Sequence, residues 1–394
     1  MPIEDVEKLE RYRLGGYHPV TVGEQLGGRY SIVHKLGFGS SSTIRLARNQ
    51  KAGKYVAIKI PVAARDSTET RETDILRRLY NTGLEEKTHP GAAYIPSILD
   101  GFSLSGPNGV HHCYVTEPGM MSLAEAKDAS SIRFFQLPVA RAMAAQLVQA
   151  VKFLHSQGIV HGDLHDGKVL VRLPGSMDYL SPEQLYEKYG SPQYEAVVRL
   201  DQCRLPVGVS ENIILTDFGE SFMPATIARP YSNAPEVLTP PEVYFEQRKS
   251  LSFPADIWTP ACTIWAIIAQ RPLFEGYSPS ADWVIKEQVD CLGKLHAPWW
   301  LKWNARARWF NEDWERKIEA HSRPLEQRFN DSVRQPRQEF RMDELDEIEK
   351  VALLSMLKAM LAFDPEERPT AQEVLNCEWI QKWALPELSQ VHGD

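Results

Sequence analysis

Alternating apolar and polar positions dominate the first part of the chain and predict β-strands. Tyr30–Leu36 and Ser42–Ala47 alternate in this way, and Tyr55–Ile60 is β-branched and bounded by Gly53 and Pro61. A further strand is predicted at Cys113–Thr116, and an amphipathic helix at Glu69–Tyr80. We therefore expect residues 29–117 to form a small β-rich lobe, preceded by an arm of residues 1–28.

A helical period replaces the alternation after the breaking sequence Glu117-Pro118-Gly119. Three long helices are predicted: Val139–Leu154 is amphipathic, Ala255–Ala269 is apolar, and Leu345–Ala362 has a clear period of 3.6 residues. We expect residues 118–385 to form a helical second lobe, with residues 174–210 as an inserted loop and residues 386–394 as a tail. The predicted fold class is thus α+β, with two lobes.

Composition narrows the classes of protein that the pattern allows. Hydrophobic residues make up 43% of the 394 positions, which is enough for sizeable cores. A net charge of -8 offers no cationic face, so we expect no direct binding to nucleic acid. The five cysteines are odd in number and scattered, which argues for a reducing compartment and against a zinc site. The most apolar stretch, 261–269, is too short to cross a bilayer, so we expect no membrane association.

Tryptophans and basic residues interleave between residues 299 and 314. Such a pattern can stack the bases of a single-stranded nucleic acid, but it is also typical of local packing. We expect packing for the residues concerned, which are Trp299, Trp300, Lys302, Trp303, Arg306, Arg308, Trp309 and Trp314.

A glycine-rich turn separates the first two predicted strands. Because glycine has no Cβ atom, backbone N–H groups near it can approach phosphate oxygens closely. The same composition suits an ordinary hairpin turn, and a serine stands where the usual phosphate loop has its third glycine. The candidate phosphate-binding residues are Leu36, Gly37, Phe38, Gly39, Ser40, Ser41, Ser42, Thr43 and Ile44.

A lysine near the end of the third strand is a second candidate for binding phosphate. Lys59 could be a solvated edge residue, or a point charge on the phosphates that a carboxylate of the next helix holds in place. Glu72 is the preferred partner, because Ile75 and Leu76, one helical turn later, place it beside the buried face of the helix. Asp74 is the alternative.

Two aspartates in the second lobe lie next to short apolar strands: Asp163 precedes one, and Asp217 follows another. Asp163, in the sequence His161-Gly-Asp163, lies between a predicted helix and a β-branched strand, where its carboxylate can accept a proton from a bound hydroxyl. Asp217 begins the sequence Asp217-Phe-Gly219 and supplies a carboxylate of the kind that Mg²⁺ binds together with substrate phosphates.

The order of these motifs resembles that of the eukaryotic protein kinases. The shared motifs are Gly37-x-Gly39, Val56-Ala-Ile-Lys59, His161-Gly-Asp163, Asp217-Phe-Gly219, Ala234-Pro-Glu236 and Asp364-Pro-Glu-Glu-Arg368. More narrowly, the chain resembles the SR-protein-specific kinases and their fungal-type relatives. That resemblance is carried by Gly15-Gly-Tyr-His-Pro-Val20, Lys35-Leu-Gly-Phe-Gly-Ser-Ser-Ser-Thr43, Thr68-Glu-Thr70, Phe253-Pro-Ala-Asp-Ile-Trp258 and the long insert before Asp217. It implies a bilobal kinase fold.

The resemblance also implies a role for each candidate residue. Asp163 would orient or deprotonate a Ser/Thr hydroxyl, Asp217 would bind Mg²⁺, and Lys59 with Glu72 would hold the α- and β-phosphates of ATP. Three groups of residues would bind adenine or buttress the site. The first group is Glu117 and Gly119, which would bind adenine through backbone groups, with Thr116 guarding the pocket behind it. The second is Ile44, Ala57 and Leu170, which would sandwich the base. The third is the structural pair Asp256 and Arg368, of which Arg368 would pair with Glu236.

Three positions depart from the kinase pattern. Gly162 replaces the arginine that usually receives an activation-loop phosphate, so we expect a short activation segment, ending at Glu236, that is ordered without phosphorylation. His165 stands in place of a lysine that steadies the γ-phosphate. Lys168 occupies the place of a metal-binding asparagine, and an ammonium cannot bind Mg²⁺. Lys168 could replace the second cation or could disable the site.

These features leave three functions open. The first is a serine/threonine protein kinase that uses ATP and Mg²⁺ and acts on protein substrates rich in Arg and Ser. The second is a nucleotide-binding pseudokinase that serves as a scaffold. The third is a small-molecule phosphotransferase of the aminoglycoside or choline kinase type, which also uses His-Gly-Asp. We expect a monomer in the cytoplasm or nucleus.

Overall fold

The computed structural model describes residues 7–63, 71–85, 89–173, 175–189, 211–276, 279–313, 316–317 and 323–392. Thr68-Glu-Thr70, Trp314 and residues 190–210 of the predicted insert lie outside these ranges. The chain divides into two compact units. The first comprises residues 1–87, 96–121 and 170–210, and the second comprises residues 88–95, 122–169 and 211–394.

The first unit is built on an antiparallel sheet, as the alternating pattern predicted. Within its described residues six strands pair in the order β1-β2-β3-β4-β6-β5. Their bounds are β1 Gln25–Leu26, β2 Tyr30–Gly39, β3 Ser42–Asn49, β4 Lys54–Pro61, β5 Asp100–Gly106 and β6 Gly109–Thr116. Helix α1 (Arg71–Glu85) follows β4 and buries Ile75, Leu76 and Leu79, which are the apolar positions of its predicted period.

The described part of the insert belongs to the first unit, whereas the sequence pattern assigned residues 174–210 to the helical lobe. Strands β7 (Gly119–Ser122) and β8 (Val169–Arg172) precede it, and helix α4 (Pro182–Tyr189) lies within it. Met177 and Leu185 are buried against Val33, Leu46 and Tyr55 of the sheet.

Polar contacts fix the same segment in place. The Asp178 carboxylate accepts a hydrogen bond of 2.7 Å from the Tyr55 N–H, and the Arg48 guanidinium donates to the carbonyls of Asp178 and Leu180. The Tyr186 hydroxyl donates to the Val33 carbonyl at 2.8 Å. The described part of the insert, residues 175–189, therefore packs against the sheet.

Helices make up most of the second unit, which contains each long helix that the periodicity predicted. Its central helix, α3 (Leu137–Ser156), is buried around most of its circumference. The other elements are α2 Leu123–Ala129, β9 Ile213–Leu215, α5 Glu242–Phe245, α6 Ala255–Ile268, α7 Ala281–Leu292, α8 Ala297–Lys302, α9 Leu325–Phe329, α10 Gln335–Glu339, α11 Glu347–Met360, α12 Ala371–Leu375 and α13 Leu385–His392. The α+β prediction is thereby confirmed.

The tryptophan-rich segment packs into the second unit. Trp299, Trp300 and Trp303 are buried in one cluster with Ile285 and Phe310, and Trp309 lies against it. Their side chains therefore stabilise the segment that follows α7. Among the helices of the described residues, none has the length and apolar content needed to cross a bilayer.

Candidate active site

The glycine hairpin joins β2 to β3 in the first unit. The strands pair up to Gly39 and Ser42, so Ser40 and Ser41 form the turn. Neither Gly37 nor Gly39 has a positive φ, and a Cβ atom built on either would meet no atom within 4 Å. The fold itself therefore does not require glycine at these two positions, which leaves close approach of a ligand as a physical reason for them.

The expected ion pair beside the hairpin is present. Lys59 of β4 lies opposite Ile44 in the sheet, and its Nζ atom is 2.7 Å from Glu72 Oε1 of α1. Both side chains are about nine-tenths buried, at 10% and 8% exposure. Asp74, the alternative partner, is exposed. Glu72 therefore holds the Lys59 ammonium in a fixed position at this point of the sheet.

In the first unit, the predicted adenine-binding residues lie in or next to strands β4, β6, β7 and β8. Ala57 is opposite Thr116 in the β4–β6 ladder, and Glu117 follows directly after β6. Gly119 begins β7, and a Cβ atom there would lie 2.7 Å from Leu170 Cδ1, so glycine is required for this close approach. These residues, with Ile44 of β3, thus belong to the first unit, and their role in adenine binding stays a prediction.

In the second unit, Asp256 of α6 fixes the backbone of the loop that carries Asp163. Its carboxylate accepts hydrogen bonds from the N–H groups of His161 and Gly162, the latter at 3.0 Å. Burial alone would raise the pKa of Asp256, but the His155 ring and the N–H donors outweigh burial and hold the pKa below its usual range. Asp256 therefore buttresses the loop, as the resemblance implied.

His161 fixes the loop to the segment before Asp217. Its Nδ1 atom accepts from the Asp163 N–H at 3.3 Å, so the ring proton lies on Nε2, which donates to the Thr216 carbonyl at 3.0 Å. The ring is completely buried. His161 thus connects the backbone at Asp163 to the backbone at Thr216, the residue before Asp217.

Asp163, Lys168 and Asp217 form one charged cluster. The Lys168 ammonium hydrogen bonds to Asp217 Oδ2 and lies 3.4 Å from Asp163 Oδ2. Burial would lower the pKa of Lys168, but Asp217 and Asp163 outweigh burial and raise it. Burial raises the pKa of Asp163, although Lys168 and His165 oppose the rise. Lys168 is therefore a cation placed between the two carboxylates.

The second oxygen of Asp163 is the candidate proton acceptor. Within the described residues, Asp163 Oδ1 has no hydrogen-bond partner. His165 Nε2 is 3.9 Å away, beyond hydrogen-bond distance, and His165 Nδ1 accepts from the Gly167 N–H at 3.1 Å. One oxygen of this carboxylate lies beside a cation, and the other has no hydrogen-bond donor. The second oxygen can therefore accept a proton from a hydroxyl.

Asp217 is held in an uncommon backbone conformation. Its φ of 64° and ψ of 67° lie in the left-handed region, which residues other than glycine enter rarely. Such strain is concentrated at functional sites, where the surrounding structure maintains it. The position after β9 therefore carries a carboxylate in a specially maintained orientation.

Comparison with known proteins explains this arrangement. Residues 30–380 match the family model described as "Protein kinase domain". The chain belongs to the protein kinase family. It is similar to a serine/threonine protein kinase of Aspergillus fumigatus, with 26% identity over 385 residues that cover 95% of this chain and 90% of that protein.

The narrower resemblance to the SR-protein kinases is also confirmed. The kinase domain is 27% identical over 406 residues to the serine/threonine-protein kinase SRPK of Physarum polycephalum, covering 94% of this chain and 90% of that protein. Over 167 residues it is 36% identical to protein kinase dsk1 of Schizosaccharomyces pombe, which covers 42% of this chain and 30% of that protein.

Kinase domains use ATP with a divalent cation, and the donor set here suits only part of that arrangement. Asp217 offers one carboxylate, which together with nucleotide phosphates is a common way of holding Mg²⁺. Lys168 supplies an ammonium where a second metal would need an oxygen ligand. Within the described residues, no cluster of three or more His, Cys, Asp or Glu side chains could hold a metal ion. The residues therefore fit a single cation at Asp217 and do not fit a second.

Gly162, the first departure from the kinase pattern, is required by its surroundings. Its φ is +80°, and a Cβ atom there would lie 2.7 Å from the Glu220 carbonyl oxygen. The Arg229 guanidinium comes within 3.5 Å of the same point. The loop thus has no room for the usual arginine, and a different arginine, from the activation segment, lies beside it.

Arg229 joins the middle of the activation segment to its beginning without a phosphate. Its Nη1 atom donates to the Glu220 carbonyl at 2.5 Å and to Glu220 Oε2 at 3.1 Å, and its guanidinium lies over the Phe222 ring. The Arg229 side chain is buried and that of Glu220 is 39% exposed, so water screens the charged contact only in part. Sequence reasoning missed Arg229, and the only signal was an arginine a few residues after Asp217-Phe-Gly219.

Glu242, and not Glu236, is the partner of Arg368. The Arg368 guanidinium makes two hydrogen bonds to the Glu242 carboxylate, of 2.8 and 2.6 Å, whereas Glu236 is exposed. The predicted pair was therefore wrong: Ala234-Pro-Glu236 matches the family motif by letter, but Pro240-Pro-Glu242 reaches the arginine. The activation segment consequently extends to Glu242 and is longer than the sequence indicated.

Proposed function

We propose that this kinase domain transfers the γ-phosphate of ATP to serine or threonine side chains of proteins, and that Arg/Ser-rich segments are its preferred substrates. The observation that carries the proposal is the Asp163 carboxylate, which has one oxygen beside the Lys168 ammonium and one without a donor. In this role Asp163 Oδ1 accepts the hydrogen bond of the substrate hydroxyl and then its proton.

ATP binding is assigned to residues of the glycine hairpin and of the neighbouring strands. In the first unit, the backbone of residues 36–44 and the Lys59 ammonium contact the phosphates, and Glu117 and Gly119 bind adenine through backbone groups. The base packs between Ile44, Ala57 and Leu170, with Thr116 at its back. These assignments are supported by the glycines that the fold does not require and by the buried Lys59–Glu72 pair.

We propose that Asp217, together with the nucleotide phosphates, would hold a single Mg²⁺, which would offset the charge of the phosphate oxygens. We propose that Lys168 supplies the second positive charge, which in other kinases comes from a second metal. The support is electrostatic: the pKa of Lys168 is raised, so its amine stays protonated, and it lies beside both carboxylates. His165 then faces the γ-phosphate in place of a lysine.

The preference for Arg/Ser-rich proteins is supported by charge and by the names of the relatives. A net charge of -8 favours basic partners, and two relatives bear the names SRPK and SRSF protein kinase 3. We further propose a monomer that acts in the cytoplasm or the nucleus.

A pseudokinase is the second candidate, and one contact favours it. Lys168 occupies an oxygen of Asp217 that a metal would otherwise use. If that ion pair persists when ATP is present, the domain would bind nucleotide without transferring phosphate and would act as a scaffold. The small-molecule phosphotransferase has no comparable support.

Two measurements test the proposal. ATP should raise the melting temperature of the wild-type protein, and Lys59→Met should abolish that shift. Transfer of radiolabelled phosphate should be faster to an Arg-Ser repeat peptide than to a Lys-Ser repeat of equal charge, because guanidinium pairs with carboxylates in bidentate geometry. No shift with ATP would refute nucleotide binding, and binding without transfer to any Ser/Thr peptide would establish the pseudokinase.

A further inference from the structure

The arm before the first strand contacts the glycine hairpin directly. Tyr17, in the sequence Gly15-Gly-Tyr-His-Pro-Val20, is 2% exposed, and its hydroxyl donates a hydrogen bond of 2.7 Å to the Gly39 carbonyl. Gly39 is the second glycine of the proposed phosphate-binding turn, and both residues belong to the first unit. A side chain outside the kinase motifs thus holds a peptide group inside the proposed ATP site.

The backbone of the arm is shaped to place this hydroxyl. Gly15 has a φ of +79°, and a Cβ atom on Gly16 would overlap the Arg11 carbonyl oxygen at 1.8 Å. Both glycines are therefore required for the tight turn that precedes Tyr17, and the Tyr17 N–H closes that turn by donating to the Arg11 carbonyl at 3.0 Å.

Three further hydrogen bonds, made by Ala63 and Asn108, fix the turn to the sheet. The Ala63 N–H donates to the Gly16 carbonyl at 3.0 Å, and Asn108 holds the arm from the β5–β6 turn. The Asn108 side chain donates to the Tyr17 carbonyl at 2.5 Å, and its own carbonyl accepts from the Gly15 N–H at 2.9 Å. The position of the Tyr17 hydroxyl is thereby determined by the sheet and not by the hairpin alone.

A second part of the arm holds the base of the hairpin. Glu7 Oε2 lies 2.5 Å from Lys35 Nζ, and Glu7 Oε1 lies 3.9 Å from Arg45. Lys35 and Arg45 face each other across β2 and β3, and the Lys35 ammonium also lies over the Phe38 ring. The arm thus contacts the hairpin at its base through Glu7 and near its tip through Tyr17.

Holding the Gly39 carbonyl also determines where the next N–H points. A trans peptide is planar, with its C=O and N–H on opposite sides, so the bond from Tyr17 directs the Ser40 N–H away from Tyr17. We propose that Tyr17 is a positioning residue for the nucleotide: it orients the Gly39–Ser40 peptide so that this N–H is available to a phosphate oxygen of ATP. The proposal rests on the proposed function of the hairpin.

Replacement of one hydroxyl tests the proposal. Tyr17→Phe should weaken ATP binding about fivefold, the equivalent of one hydrogen bond worth roughly 1 kcal/mol. Adenosine, which has no phosphate, should bind to the variant and to the wild type equally. Calorimetric titration with both ligands therefore separates a phosphate-positioning role from a general loss of structure.

Tyr30→Phe is the matched control. Tyr30 is 1% exposed, lies on β2 and donates its hydroxyl hydrogen bond to Asp100 at 2.7 Å. The ratio of ATP affinity to adenosine affinity should be the same for the Tyr30→Phe variant as for the wild type. Amide hydrogen exchange without nucleotide gives a second measurement, in which Tyr17→Phe should speed exchange of residues 37–43.

The outcomes separate this proposal from the proposed function. A wild-type protein that binds no ATP would refute the function of the hairpin. A wild-type protein that binds ATP, together with a Tyr17→Phe variant of unchanged ATP-to-adenosine ratio and unchanged exchange, would overturn the role of Tyr17 and leave the function intact.

Discussion

Replacement of Lys168 separates the two roles that its position allows. The perturbation is Lys168→Met, which removes the ammonium and keeps most of the side-chain volume. The account predicts a slower enzyme, because the two aspartates would then approach the phosphates of ATP without the cation between them. If Lys168 instead disables the site, the same change would speed transfer.

The magnitude follows from the geometry of the cluster. At the 3.4 Å separation of Lys168 Nζ and Asp163 Oδ2, two unit charges attract by about 5 kcal/mol at an effective dielectric constant of 20 and by about 1 kcal/mol in water. The Lys168 side chain is 23% exposed, so the effect on the transition state should lie between these limits. That range includes the roughly 10²–10³-fold loss of rate typical for one charge-stabilising group.

Initial rates of phosphate transfer, measured over a series of Mg²⁺ concentrations, are the assay. Lys168→Met should lower kcat by roughly 10²–10³-fold. Lys168→Asn, which restores an oxygen ligand, should recover activity only as Mg²⁺ is raised. Lys358→Met, at an exposed lysine of α11, should leave kcat unchanged. A Lys168→Met enzyme as fast as the wild type or faster would refute the reasoning.

Four further predictions follow from other contacts. Glu242→Gln should lower the free energy of unfolding by about 3–5 kcal/mol, because the buried charge of the Arg368 guanidinium then lacks a carboxylate partner. The control, Glu236→Gln, should change it by less than about 0.5 kcal/mol. Equal effects of the two variants in denaturant titrations would contradict the assignment of Glu242 as the partner. Leu185→Ala should cost about 2–5 kcal/mol in the same titrations, and a neutral result would show that the insert does not pack on the sheet. Arg229→Met should lower kcat more than it changes KM, and an unchanged kcat would exclude its role in ordering the activation segment. The rate should fall as the pH drops through a pKa of Asp163 above the ordinary value of about 4, since the carboxylate must be ionised to accept a proton; a rate that stays constant down to that pH would contradict this.

The positions of residues could be predicted where they depend on neighbours close in sequence or on the period of a helix or strand. Glu72 was distinguished from Asp74 because helical spacing alone assigns the first to the buried face and the second to solvent. The strands that carry Lys59 and Ile44 follow a period of two, which identified both the sheet and the turn between them. Local physics was sufficient in these cases.

Partners that depend on tertiary structure were not predictable. Nothing local distinguishes Glu236 from Glu242, since each follows a proline and only the folded chain shows which carboxylate reaches Arg368. The insert was assigned to the wrong unit because its apolar residues, such as Leu185, are too few to form a period that reveals the surface they cover. Arg229 lies beside Gly162, where the usual arginine is missing, but the two residues are far apart in sequence, and no local pattern indicates that they meet.

The central claim is that Asp163 takes the proton during phosphate transfer. It is tested most directly by comparing wild type with Asp163→Asn, which keeps the shape of the side chain and removes the base. We predict that transfer of radiolabelled phosphate to an Arg-Ser repeat peptide falls by roughly 10²-fold or more, while the melting-temperature shift with ATP is retained. Transfer by Asp163→Asn at the wild-type rate would contradict the account.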